Sequence, residues 1–324
     1  MLTTMTESSG RESHSGSDGS GRESRPEADE SARELQAGDS RQGRRTGGTT
    51  TAAVAEIARP LNGFIAAVAV LAGAFVSRYP TRWVEASLGA AAAFAAAAGA
   101  NALNDAMDAR EDALNRPDRP IPSGKIRPRS AVAAAVVAYL VSVGLASLVG
   151  VGPFVLAVTW VAATVAYSVG LKGTPVLGNA VAAAVAATPF LMGGLTQDKY
   201  LLAMIPTLLA FLAHLAREAV KDAEDVQGDI AAGVGTLAVR KGAAASVALA
   251  RATMLMLIGF AALPFAFRIY GWGYAAVVCV IDVILVWGLV LLGGSPTADR
   301  LGQVSRMLKS VMVLGLLAFV LGVL

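Results

Sequence analysis

The chain has 324 residues, of which 55% are hydrophobic and 16% charged, with a mean hydropathy of +0.56; an ordinary soluble domain, with roughly 25% charged residues, is excluded by that balance. The formal net charge of +3 does not point to nucleic acid, because the basic residues gather in particular loops between apolar runs, where they set membrane topology. A lone cysteine, Cys279, lies inside an apolar run, which excludes a disulfide framework and leaves packing as its expected role.

In chain order, residues 1–51 come first. They are rich in Ser, Gly, Arg and Glu and nearly free of large apolar side chains, so a disordered cytoplasmic tail is expected there. The tail lacks the apolar core of a signal peptide; a lipid-surface or regulatory arm is its alternative reading. From Ala55 to Leu324 the chain reads as one continuous membrane domain. Nine runs in it approach the roughly 20 apolar residues needed to cross a bilayer. They lie near Pro60–Ser77, Val84–Leu103, Ser130–Leu148, Pro153–Gly170, Val176–Leu195, Leu201–Ala219, Ala243–Phe267, Trp272–Leu292 and Met307–Leu324. The runs are Ala- and Leu-rich without period-two alternation, which predicts an all-α integral membrane protein.

The loop after the second span carries Arg110, Arg116, Arg119, Lys125, Arg127 and Arg129, and the loop after the third carries neither Lys nor Arg. Later even-numbered loops bear Lys172, then Lys221, Arg240 and Lys241, then Arg300, Arg306 and Lys309. The positive-inside rule therefore predicts a cytoplasmic N-terminus and cytoplasmic even-numbered loops, with the C-terminus outside.

Chemistry concentrates at two span ends. In GANALNDAMDAREDALNRPDRPIPSG, residues Asn104, Asp108 and Asp112 are spaced i, i+4, i+8 and share one helical face. In REAVKDAEDVQGD, residues Glu218, Asp222, Asp225 and Asp229 are spaced i, i+4, i+7, i+11, again one face. Asp225 follows Asp108 by 117 residues, and Asp229 follows Asp112 by 117, the pattern of two related helix groups whose acidic ends converge. Stacked like charges at apolar helix ends make sense when a multivalent cation lies between them. Oxygen-only ligands favour a hard cation such as Mg2+, held by a few carboxylates together with substrate phosphates. Nearby Arg116, Arg119, Lys172, Arg217 and Lys221 suit the remaining phosphate charge. The bland alternative is a solvated loop of salt bridges. Asp105 and Glu111 fall off the Asp108 face, where solvent exposure or helix-end hydrogen bonding competes with metal contact, and Asp118 after Pro117 reads as a turn residue.

The first stretch resembles the N-D-x-x-D-x-x-x-D motif and N-R-P-x-R-P-I-P-S-G continuation of the UbiA-type intramembrane prenyltransferases. The second is similar to that family's D-x-x-x-D motif, followed here by Gly233 to Val239. The resemblance covers nearly everything after Arg59. It implies nine helices around a central cavity capped by cytoplasmic loops, Mg2+ as cofactor, and a prenyl diphosphate donor. It assigns the catalytic and metal-binding roles to Asp108, Asp112, Asp225 and Asp229, with Asn104 beside them and Asp222 and Glu218 in support. Lys172, in YSVGLKGTPVLGN, resembles the family's loop lysine near the diphosphate. The set RPLN at Arg59–Asn62, NRPDRPIPSG and KDAEDVQGD is most similar to the branch that joins a geranylgeranyl group to geranylgeranylglyceryl phosphate in archaeal ether-lipid synthesis.

That branch implies a lipid-phosphate acceptor and residence among the lipids of the cell membrane. Ala223 and Gln227 depart from the branch's usual pattern without removing a carboxylate. Other readings are an aromatic quinone precursor or a chlorin as acceptor, or, in another class, a cation-coupled transporter; against the last, the acids cluster at one membrane face and not at the midplane. Asn62 fits an interhelical hydrogen bond or an acceptor contact. His214 admits packing, proton handling or acceptor contact, and Tyr167 either orients Lys172 or sits in an interfacial aromatic belt.

Overall fold

Every element among the described residues is helical, as lipid requires of a chain that must satisfy its backbone internally. The computed structural model describes residues 51–77, 81–231 and 233–324, so the expected disordered tail lies outside it except for Thr51. Helices α1 (Thr51–Ala58) and α2 (Pro60–Val76) meet at a 48° bend. Arg59 forms the corner with a left-handed backbone (φ 46°), and Pro60 opens α2, where a missing N–H costs nothing. Helix α3 (Trp83–Met107) leads into the short α4 (Ala109–Asn115), and a Pro- and Arg-rich loop returns the chain to α5 (Pro128–Val149). Helix α6 (Val151–Ala166) ends in a π-helical turn, Tyr167–Leu171. Then come α7 (Leu177–Thr196), α8 (Tyr200–Glu224), the short α9 (Val226–Ala231) and α10 (Leu237–Lys241), and finally α11 (Ala243–Ala266), α12 (Trp272–Leu291) and α13 (Ala298–Val323).

Eight of these helices are long and apolar enough to cross a membrane, and the bent α1–α2 pair is the ninth when counted as one span. Large apolar side chains on the outside fit that setting: Val137, Leu140, Leu148 and Val283 are each more than 60% exposed. The last span begins at Ala298, nine residues before the expected Met307. Thr297 caps it by accepting from the Arg300 N–H at 3.5 Å. Its first turns are amphipathic: Leu301, Val304 and Leu308 are buried while Asp299, Arg300, Arg306 and Lys309 stay exposed. Those charges mask the helix in a hydropathy reading.

One apolar core joins α8, α11, α12 and α13 through side chains such as Leu212, Met254, Leu285 and Leu308. A second, made of small residues from α2, α3, α5, α6 and α7, allows close backbone approach. A Cβ on Gly73 would stand 2.1 Å from the Phe190 carbonyl oxygen, and one on Gly193 would stand 2.0 Å from that of Val70, so α2 and α7 touch backbone to backbone. Among these helices lies a cavity of about 30 Å³ lined by Ala66, Ala96, Ser142, Trp160 and Met192. Cys279 departs from its expected packing role, since its side chain is exposed on the outer face of α12.

Candidate active site

The two acidic motifs sit where α3 and α8 outrun their apolar stretches, four and five residues past the expected ends at Leu103 and Ala219. Each helix is interrupted by a single aspartate. Asp108 (φ −85°, ψ 4°) ends α3 with its N–H on the Asn104 carbonyl at 2.9 Å. Asp225 (φ −94°, ψ 7°) ends α8 with its N–H on the Lys221 carbonyl at 2.8 Å. Four residues on, the N–H of Asp112 bonds to the Asp108 carbonyl at 2.8 Å, and that of Asp229 to the Asp225 carbonyl at 3.0 Å. Each second aspartate then accepts from a side chain seven residues further: Arg119 Nη1 reaches Asp112 Oδ2 at 2.5 Å, and Thr236 Oγ1 reaches Asp229 Oδ2 at 3.0 Å. Arg119 and Thr236 are themselves 117 residues apart. The numerical repeat is thus a repeated piece of structure.

A third segment ties the two motifs together. Lys172 Nζ donates to Asp108 Oδ1 at 2.5 Å, and Asn104 Nδ2 donates to Asp108 Oδ2 at 2.8 Å. Immediately after it, Gly173 (φ 81°) turns so tightly against the chain following Asp229 that a Cβ would stand 2.6 Å from Val234 Cγ1. A residue with a side chain would meet both the left-handed backbone and that contact. The phenol of Tyr167 lies within electrostatic reach of carboxylates from both motifs, Asp108 of the first and Glu218, Asp222 and Asp229 of the second. Its place is therefore between the motifs. The π-helical turn that carries it is a geometry often found at functional sites.

Of the remaining candidates, Arg217 Nη1 pairs with Glu218 at 3.0 Å and Lys221 approaches the same carboxylate at 3.9 Å. Asp225 and Arg116 are exposed, and Arg116 makes no approach to the aspartates among the ion pairs of the described residues. Asn62 Nδ2 donates to Asn101 Oδ1 at 3.4 Å, an interhelical bond and one of the two roles expected of it beside an acceptor contact. His214 is half-buried one turn before Glu218. Asp118 is exposed in the turn closed by the Arg119 N–H on the Arg116 carbonyl at 3.1 Å.

Two residues change the expected picture. Asp105 is 4% exposed, not solvated; it is paired with Arg59 and lies 3.5 Å from Arg119 Nη1. Asn179, at the start of α7, donates to Asp222 Oδ2 at 2.8 Å and was absent from the sequence candidates. A polar residue opening an apolar span was its only signal.

Among the described residues no three acidic, His or Cys side chains converge into a ready-made metal cage. The donor set nevertheless fits magnesium, which takes one or two carboxylates, completes its octahedron with waters and substrate phosphates, and needs no all-protein site. With eight or nine helices long and apolar enough to cross a membrane, two carboxylate-bearing helix ends and a lysine at the turn between them, the molecule is of the class of polytopic membrane proteins with a polar site suited to a metal-bound phosphate. The chain is a member of the UbiA prenyltransferase family, whose model matches residues 65–304. It is 38% identical to the digeranylgeranylglyceryl phosphate synthase of Methanopyrus kandleri over 82% of this chain and 96% of that one. It is 35% identical to the enzyme of the same name from Halobacterium salinarum, over 82% and 95%. Among solved structures, one of a digeranylgeranylglyceryl phosphate synthase superposes with a TM-score of 0.73 at 26% identity, covering 84% of this chain and 97% of that one. A UbiA homologue from Archaeoglobus fulgidus bound to DMAPP and Mg2+ shares the fold, with a TM-score of 0.60 at 17% identity over 81% and 98%.

Proposed function

We propose that the chain transfers a geranylgeranyl group from its diphosphate to the hydroxyl of geranylgeranylglyceryl phosphate, making an ether of the archaeal membrane. The observation that carries the reading is the pair of aspartate helix ends built alike and joined through the Lys172 turn. The relatives at 35–38% identity, all digeranylgeranylglyceryl phosphate synthases, support the choice of acceptor.

Asp108, Asp112, Asp225 and Asp229 are the carboxylates that would hold magnesium, with Asp222 and Glu218 in support. Bound there, magnesium supplies Lewis-acid neutralisation of the departing diphosphate. Lys172 and Arg119 already lie against the motif carboxylates, so a diphosphate seated between the motifs meets both cations. Asn104, Arg116, Arg217 and Lys221 are the further donors at the rim. The allylic C–O bond breaks with its electron pair leaving on diphosphate, and the acceptor hydroxyl forms the new C–O bond. Its proton passes to a carboxylate, with Glu218 and Asp222 as the candidates. The apolar helices exclude water from the allylic cation. In the cell membrane, the basic loops orient the N-terminus and the site toward the cytoplasm, and the membrane domain runs from Ala55 to Leu324.

Purified protein with magnesium and labelled geranylgeranyl diphosphate, offered geranylgeranylglyceryl phosphate or hydroxybenzoate separately, tests the reading. Ether from the glyceryl phosphate alone is expected; product only with the aromatic acid would overturn the acceptor. Asp108→Asn and Asp225→Asn are each expected to abolish turnover while inserting normally, and wild-type rates in either would remove that residue from the site.

A further inference from the structure

Asp105 is a buried acid that the mechanism above does not use. Its side chain is 6% exposed, against 34% for Arg59 and 21% for Arg119. Its Oδ1 accepts from both guanidiniums: Arg59 Nη2 donates to it, and Arg119 Nη1 lies 3.5 Å away while also bonding to Asp112 Oδ2 at 2.5 Å. Two guanidiniums gathered at one oxygen repel each other, and the carboxylate between them makes the arrangement stable. It cancels one of the two positive charges, so the cluster keeps one for an incoming anion once Asp112 is engaged with the metal.

Arg59 is held in place by more than this ion pair. Its left-handed backbone (φ 46°) is strained for a residue other than glycine, and strain of that kind persists where surrounding contacts over-determine the chain. Those contacts are present: Asn101 Nδ2 donates to the Ala58 carbonyl at 3.1 Å, and Glu56 pairs with Lys125 at 3.2 Å. A salt bridge serving only to join α1 and α3 would not require a strained corner. It would not require a second arginine that also reaches the catalytic motif.

We infer that Asp105 is a positioning residue, holding Arg59 and Arg119 as a paired cationic fork for a substrate phosphate. The inference rests on the proposed reaction, whose two substrates both carry phosphate: the donor as a diphosphate, the acceptor as a monoester. The fork recognises the chemistry common to both, bidentate contact to phosphate oxygens.

Steady-state kinetics of the full chain in detergent with Asp105→Asn tests it, varying each substrate in turn. The KM for one phosphate substrate is expected to rise by about tenfold or more, the loss of one charged hydrogen bond, with kcat changed by less than about threefold. The substrate whose KM moves identifies the phosphate that is read. In an Arg59→Ala background, adding Asp105→Asn is expected to raise that KM by a smaller factor than it does in the wild type, because part of the carboxylate's effect runs through Arg59 and only the part through Arg119 is left.

Asp105→Glu, which keeps the charge, is expected to restore part of the affinity. If Asp105→Asn does not accumulate, Arg59→Lys is the second variant: it keeps the charge without the fork, and the same KM is expected to rise. Unchanged KM values for both substrates, or fully additive effects in the double variant, would overturn the inference. Failure of the proposed reaction is separately visible: the wild type would then make no ether from geranylgeranylglyceryl phosphate. Asp105 would still be read through the KM for the prenyl diphosphate with whichever acceptor reacts.

Discussion

Lys172 reaches the first motif from a turn that packs against the second, so one side chain senses both halves of the site. Its ammonium is a point charge, able to pass from Asp108 Oδ1 to a phosphate oxygen without rebuilding a fork. Lys172→Met is therefore expected to raise the KM for the prenyl diphosphate by about tenfold or more, with Lys172→Arg intermediate, since a charged hydrogen bond is lost in the first and reshaped in the second. Equal KM values for wild type and Lys172→Met would remove the lysine from the diphosphate site. Sequence spacing marked Asp108 and Asp112 because their signal is local, carboxylates on one helical face; Lys172 was legible as a basic residue of an even-numbered loop and through the resemblance of YSVGLKGTPVLGN. Asp105 and Asn179 were not legible in the same way. Whether Asp105 faces water or Arg59 depends on a helix 46 residues earlier in the chain, and Asn179 acquires meaning only beside Asp222, 43 residues later.

At the scale of elements, the helix ends were legible as acidic clusters but not as matched caps. The i, i+4, i+8 reading treats each helix as unbroken, whereas a single residue interrupts it at Asp108 and at Asp225. The shared interruption makes the 117-residue spacing a property of local geometry and extends it to Arg119 and Thr236. The start of α13 was hidden for the opposite reason: its charged face diluted the hydropathy of a helix whose other face is buried. The crossing of α2 and α7 was foreshadowed only by small residues, yet the backbones touch at Gly73 and Gly193. Gly193→Ala puts a methyl 2.0 Å from the Val70 carbonyl oxygen and 2.5 Å from the Ala74 nitrogen, contacts that only a shift of whole helices relieves. A loss of about 1–3 kcal/mol, typical of overpacking, is expected. It should appear as a lower unfolding temperature in detergent; an unchanged temperature would mean that α2 and α7 are further apart.

For the molecule as a whole, the count of crossings decides which end of the chain shares a face with the chemistry. Asp108, Asp225 and the Lys172 turn all follow even-numbered spans, so any membrane-crossing arrangement that brings them together puts them on one face. Helix α2 has 17 residues, about 26 Å at 1.5 Å per residue, just short of the roughly 30 Å hydrocarbon layer. The bent α1 before it is partly apolar, with Ala53 and Ile57 buried against the second-span core. If the pair crosses as one span, the count is nine, and the N-terminus lies on the side of the active-site loops; if it dips and returns, the count is eight, and the N-terminus lies opposite them, while the three spans after Asp225 put the C-terminus opposite the loops in both cases. The cationic loop from Arg110 to Arg129 favours a cytoplasmic site, which puts Leu324 outside with either count and, with nine crossings, puts the N-terminus in the cytoplasm. A membrane-impermeant thiol reagent added to intact cells, in a Cys279→Ala background, is expected to label neither a cysteine placed ahead of Thr51 nor one placed at Gly124. Labelling ahead of Thr51 with none at Gly124 would make the α1–α2 pair re-entrant and leave eight crossings. The substrate phosphates would still arrive from the cytoplasm, but across a half-buried helix pair with Arg59 at its corner in place of a full span.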